Sequence, residues 1–76
     1  SLLTLDAPRA PHESLSSREF EVFRLMASAK SPKEIAWQLD ISAKTVSTYR
    51  TRILEKMGMT SNVELMQYAV RHGLVV

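Results

Sequence analysis

SPKEIAWQLDISAKTVSTYRTRILEKMG, residues 31–58, holds two helix starts and one helix stop, and its reading decides the fold. Ser31 stands as an N-cap, Pro32 occupies the first helical position, where its missing N–H costs nothing, and Glu34 completes a capping box. Ile35, Ala36 and Leu39 form the inward stripe of a helix of about two turns, after which Asp40 and Ile41 bend away. Ser42 caps a longer helix, about residues 43–57, in which Val46, Tyr49, Ile53 and Met57 share one face at spacings of 3, 4 and 4. Gly58 ends it as a left-handed C-cap. Two short helices joined by a tight turn, the second basic and rich in hydroxyls on its outer side, form the arrangement that places a helix in the major groove of DNA.

Working outward, LSSREFEVFRLMASA, residues 15–29, offers Ser16 and Glu19 as another capping box, and Val22, Phe23, Met26 and Ala27 recur at helical spacing, predicting a helix over 17–28. On the other side, SNVELMQYAVRHGLVV, residues 61–76, supplies Ser61 with Glu64 as a further box and Leu65, Tyr68 and Ala69 as the inward face. Gly73 with Leu74 is its stop. No segment alternates with period two, and no hairpin signal such as Asn-Gly occurs, so the expected fold is all-α with four helices. Residues 1–14, SLLTLDAPRAPHES, have two of the three prolines and no steady period. They read as an interdomain linker with little regular structure and a docked end at Leu2, Leu3 and Leu5, ahead of a domain at 15–76. The Ser1 start and the clustered prolines suggest a piece of a longer protein with an N-terminal partner domain.

A chain of 76 residues, 45% hydrophobic, is long enough for one small domain. It has no cysteine and no His/Cys set at metal-ligand spacing, so no disulfide, metal or cofactor is expected and stability must come from packing. No apolar run approaches the roughly 18–20 residues of a membrane span and no signal segment opens the chain, which makes cytoplasmic the default expectation. The formal charge of +2 argues only weakly for a polyanionic partner, but its distribution says more. Residues 1–29 carry one net negative charge, whereas residues 42–56 carry Lys44, Arg50, Arg52 and Lys56 against Glu55 alone.

With Val46, Ile53 and Met57 inward, Ser47, Thr48, Thr51 and Glu55 fall on the far side of the third helix. A merely solvated face usually carries Glu and Lys at i, i+4, because these are good helix formers that pair with each other. Small hydroxyls instead let a helix backbone approach base edges, and a Thr methyl packs on a thymine methyl. Ser47, Thr48 and Thr51 are therefore the expected base readers, with Lys44, Tyr49, Arg50, Arg52 and Lys56 reaching phosphates on either wall of the groove. The free N–H groups after Ser42 favour a phosphate as well.

These stretches, through Arg18-Glu19, Glu34-Ile35-Ala36, Leu39, Ser42, Thr45-Val46, Ile53, Lys56, Gly58 and Gly73-Leu74, resemble the LuxR-type, or NarL/FixJ-type, helix-turn-helix domain of bacterial transcription regulators over about residues 15–76. TVSTYRTR and VELMQYAVRHGLV, with Tyr at position 49 where many relatives carry His, are most similar to response regulators of the GacA and BvgA kind. The resemblance implies an output domain of a two-component system that binds double-stranded DNA, dimerises on a two-fold site and follows a phosphoacceptor receiver domain. It implies base contacts from Ser47, Thr48 and Thr51 and adds Thr45 to the phosphate contacts Lys44, Tyr49, Arg50, Arg52 and Lys56. Two positions depart from the pattern. Ser47 stands where many members have Lys, and Ala29 replaces the turn glycine after the first helix, so that it must adopt a left-handed conformation or reshape the turn.

Val63, Met66 and Val70 make a second apolar stripe on the last helix beside Leu65 and Ala69, with Gln67 among them, and read as a dimer seam. Trp37 points outward on the helical pattern and is expected to lie partly flat on its neighbours, the alternative being a docking contact with the receiver domain or RNA polymerase. Phe20, one step off the first helix's stripe, is expected to cover the linker or join a dimer contact. His12 and His72 have no catalytic or metal partner in the pattern, and Ser16, Ser31, Ser42 and Ser61 are accounted for as caps, so an enzyme is not expected. The competing readings are a sigma-factor-like region within the transcription machinery and a protein-interaction module using Trp37, Phe20 and the last helix.

Overall fold

The computed structural model describes residues 11–75. Over them run a 3-10 helix, Pro11–Ser14, and four α-helices: α1 Ser17–Ala27, α2 Pro32–Leu39, α3 Ala43–Met57 and α4 Asn62–Arg71, with no strand among the described residues. The fold is all-α, as the periodicity predicts. The reading of Leu2, Leu3 and Leu5 lies outside the described residues. Pro11–Ser14, which the sequence presents as part of an irregular linker, instead closes a 3-10 turn, helped by the Ser14 hydroxyl donating to the Pro11 carbonyl at 2.7 Å.

Each α-helix begins where a serine hydroxyl accepts from the backbone N–H three residues on. Ser16 accepts from Glu19 N–H at 3.2 Å while the Glu19 carboxylate accepts from Ser16 N–H at 2.8 Å, and Ser31 with Glu34 repeats the arrangement at 3.1 and 2.9 Å. Ser42 accepts from Thr45 N–H at 3.0 Å. The box expected from Ser61 and Glu64 closes differently. Ser61 accepts from Glu64 N–H at 3.4 Å, but the Glu64 carboxylate reaches one residue further, to the Thr60 N–H and hydroxyl at 2.7 and 2.8 Å. Thr60 offers two donors to one oxygen, which outweighs the single N–H of Ser61.

The helix ends are equally uniform. In each, one residue takes a left-handed conformation and the next amide donates back five residues: Lys30 to Leu25, Ile41 to Ala36, Met59 to Leu54 and Leu74 to Ala69, at 2.8–3.1 Å. Gly58 and Gly73 adopt that conformation without a Cβ penalty, at φ 65° and 66°. Ala29 and Asp40 adopt it as well, at φ 66° and 56°. Aspartate tolerates this region better than most residues, whereas alanine there costs about 1–2 kcal/mol. Ala29→Gly should therefore raise the unfolding free energy by about 0.5–1 kcal/mol once the greater freedom of glycine in the unfolded chain is subtracted. Urea titration of the two proteins would register it as a higher midpoint at unchanged slope; a lower midpoint would show that the turn is not strained.

The core is one cluster drawn from all four helices: Val22, Phe23, Met26 and Ala27 of α1, Ile35 and Ala36 of α2, Val46, Ile53 and Met57 of α3, and Leu65, Tyr68 and Ala69 of α4. Leu39 and Tyr49 are half-buried at its edge. The α1 stripe packs on both α3 and α4, and α2 packs on α3. His12 ties the 3-10 turn to this core: its Nδ1 is hydrogen-bonded to the Tyr68 hydroxyl at 2.7 Å, and Tyr68 stacks in turn on His72 at a centroid distance of 4.0 Å. Phe20 packs between His12 and Phe23, at centroid distances of 6.0 and 5.9 Å, so it covers the 3-10 turn that leads into α1.

Candidate nucleic-acid interface

Burying Val46, Ile53 and Met57 fixes the rotation of α3 about its axis. At 100° per residue, the positions left facing away include those of Ser47, Thr48, Thr51 and Glu55, and all four are exposed. Thr48 and Thr51 donate their hydroxyl hydrogens to the carbonyls of Lys44 and Ser47, at 3.2 and 3.1 Å. Back-bonding of this kind sets χ1, leaving the oxygen lone pairs as acceptors and the methyl group in a fixed direction. A surface of small, pre-oriented acceptors and methyls suits amino groups and thymine methyls at base edges.

Around this strip the cations differ in how they are held. Lys44 and Arg52 are exposed, and neither forms an ion pair among the described residues. Thr45 and Tyr49 flank them, Tyr49 half-buried and the exposed or half-buried neighbours of the helix start linked by the Thr45 hydroxyl, 2.9 Å from that of Ser42. Arg50 is half-buried, and its Nε donates to Asn62 Oδ1 at the start of α4, at 2.9 Å. Lys56, expected to reach a phosphate, is also held within the chain. Its Nζ lies 2.8 Å from Glu19 Oε1, with the Lys56 side chain 43% exposed and that of Glu19 only 6%. Two of the ammonium's three donors remain.

Glu19 thus serves both its own helix cap and a cross-core ion pair between α1 and α3. The Lys56 ammonium, then the Ser16 amide, hold its carboxyl below the usual glutamate range, against burial, which acts the other way. Glu34 and Glu64 are lowered too, chiefly by the backbone amides of Ser31 and Thr60.

Of the two apolar surfaces predicted, Val63 and Val70 on α4 are 60% and 68% exposed, with Met66 half-buried and Gln67 exposed beside them. Trp37 does not lie flat on its neighbours; it is 86% exposed. With Ile35, Ala36 and Leu39 inward, position 37 falls nearly opposite them on α2. Among the described residues, no three His, Cys, Asp or Glu side chains gather as a metal site would need, and no helix is long and apolar enough to cross a membrane.

The couplings that sequence reasoning missed are Lys56 with Glu19, Arg50 with Asn62, and His12 with Tyr68. Their partners stand 37, 12 and 56 residues apart, so no local pattern announces them.

Residues 13–69 match the sequence pattern of bacterial regulatory proteins, luxR family. The chain is 47% identical over 66 residues to the response regulator GacA of Pseudomonas aeruginosa, covering 87% of this chain and 31% of that protein. It is 50% identical over 60 residues to the virulence-factor transcription regulator BvgA of Bordetella pertussis, covering 79% and 29%. It is 40% identical over 65 residues to the response regulator UvrY of Escherichia coli, covering 86% and 30%. The chain thus spans about a third of the length of these relatives.

Proposed function

The chain belongs to the luxR family of bacterial regulatory proteins, and on that premise we propose that it is the DNA-binding output module of a transcription regulator rather than an enzyme. The observation that carries this reading is the outer face of α3, where Ser47, Thr48 and Thr51 stand exposed while Val46, Ile53 and Met57 anchor the opposite face in the core. In the proposed complex α3 lies in the major groove of double-stranded DNA. The three hydroxyl residues meet base edges, and Lys44, Thr45, Tyr49, Arg50, Arg52 and Lys56 meet phosphates, Lys56 through the donors that Glu19 leaves free.

The stripe of exposed Val63 and Val70 and half-buried Met66, with Gln67, is the surface through which two copies would pair on a two-fold site. The similarity to GacA and UvrY, both response regulators, supports an N-terminal phosphoacceptor receiver domain joined through residues 1–14. This module would then be the output end of a cytoplasmic two-component system acting on RNA polymerase. The exposed Trp37 favours a second reading, in which α2 offers a protein-docking surface alongside the DNA face.

Selection of bound sequences from a random duplex pool at low salt tests the proposal. Enrichment of a two-fold motif is expected, with log K falling by about 0.9 per phosphate contact as log salt rises. Failure to retain any duplex at micromolar protein would leave only the protein-docking reading.

A further inference from the structure

We infer that Asn62 is a positioning residue for Arg50, holding its guanidinium ready for a phosphate; this rests on the DNA reading above. Arg50 projects from the middle of α3, and Asn62 is the first residue of α4. The Nε of Arg50 donates to Asn62 Oδ1 at 2.9 Å. An arginine side chain is long and flexible, and an exposed one loses much conformational freedom on meeting a ligand. A bond at Nε acts at the inner edge of the planar group, so it fixes the plane while leaving the N–H bonds of Nη1 and Nη2 free. That outer edge can take a phosphate through two parallel hydrogen bonds. An amide suits this role because, being neutral, it does not cancel the charge that attracts the phosphate, as a carboxylate at position 62 would.

The same bond joins the base-reading helix to the start of the helix that carries the Val63, Met66 and Val70 stripe. Arg50 is therefore set with reference to α4 as well as to its own helix.

A double-mutant cycle on duplex affinity tests this, using the unaltered chain, Asn62→Ala, Arg50→Ala and the double variant, each first checked for an unchanged thermal midpoint. Asn62→Ala is expected to weaken binding about five-fold and Arg50→Ala about ten-fold or more, with the double variant no weaker than Arg50→Ala alone. Arg50→Ala should also flatten the salt slope by about 0.9, whereas Asn62→Ala should leave most of that slope in place. In the free protein, the Arg50 Nε–H resonance should exchange slowly with solvent and lose that protection in Asn62→Ala. Additive losses, tighter binding by Asn62→Ala, or an unprotected Nε–H in the unaltered chain would each overturn the inference while leaving the DNA reading intact. Absence of duplex binding by the unaltered chain would overturn both, and the resonance measurement would still report whether the bond forms.

Discussion

Lys56→Met is expected to lower the unfolding free energy by about 2 kcal/mol, less than the roughly 3–5 kcal/mol that removing one partner of a fully buried ion pair costs. The substitution keeps an unbranched stem of similar bulk and good helix propensity, so neither packing nor local propensity accounts for the loss. What it removes is the charge 2.8 Å from Glu19, a carboxylate whose side chain is 6% exposed and which is left in a poor solvent. The Lys56 side chain is 43% exposed, so water screens part of the attraction, and Ser16 N–H still serves the carboxylate; the loss is correspondingly smaller.

The pH dependence distinguishes this origin from a packing defect. Glu19 has its folded-state pKa depressed, chiefly by Lys56, so its contribution is present above the unfolded-state value of about 4.3 and is lost as pH falls through the lower folded-state value. The unaltered protein should therefore lose stability on acidification below about pH 4.3, and Lys56→Met should lose less over the same range. Urea midpoints followed from neutral pH down through that range would show the two curves converging. Parallel curves would mean that the loss does not come from the Glu19 ion pair.

Thr48→Ala and Thr51→Ala are expected to change which sequence is bound more than how tightly DNA is bound in general. Each removes one acceptor and one methyl from the exposed strip, and each also breaks a hydroxyl bond to a carbonyl of its own helix. That bond is local and exposed, so folding stability should change little; alanine's better helix propensity offsets its loss. Toward a preferred duplex the loss should be about 1–3 kcal/mol per contact, with affinity for random duplex nearly unchanged. Arg52→Ala, on an exposed cation, should weaken both alike. Competition between a selected duplex and a random one would separate the two behaviours. If the threonine variants lose equally on both, these residues are not readers.

The parts of this architecture that are legible in the sequence are those whose causes are local. Serine followed three residues later by glutamate marks the starts of α1 and α2, because the two backbone donors and the two side-chain acceptors lie within one turn. The apolar spacing of α3 fixes its rotation, and with it the exposure of Ser47, Thr48 and Thr51, since a helix that buries one face must present the other. Left-handed stops are legible at the glycines and less so at Asp40, whose own identity only permits that conformation.

What is not legible depends on the approach of distant segments. Lys56 reads as one more cation of a basic helix until α1 brings Glu19 beside it, and Arg50 reads as free until α4 places Asn62 at its inner edge. His12 sits in a proline-containing stretch that looks irregular, and Tyr68, 56 residues on, gives its ring a hydrogen-bond partner. Glu64 shows the same limit at short range: the motif names its cap, but the extra hydroxyl of Thr60 redirects the carboxylate. The helical pattern points Trp37 outward, and outward it stands, 86% exposed rather than laid against its neighbours.

The outward face of α3 is tested most directly by following backbone amide resonances while a duplex selected from the random pool is added at low salt. The largest shifts are expected between Lys44 and Arg52, centred on Ser47, Thr48 and Thr51, while Val22, Phe23 and Leu65 in the core stay nearly still. Shifts centred on α2 around Trp37 or on the Val63 and Val70 stripe, with residues 44–52 unmoved, would contradict a base-reading α3.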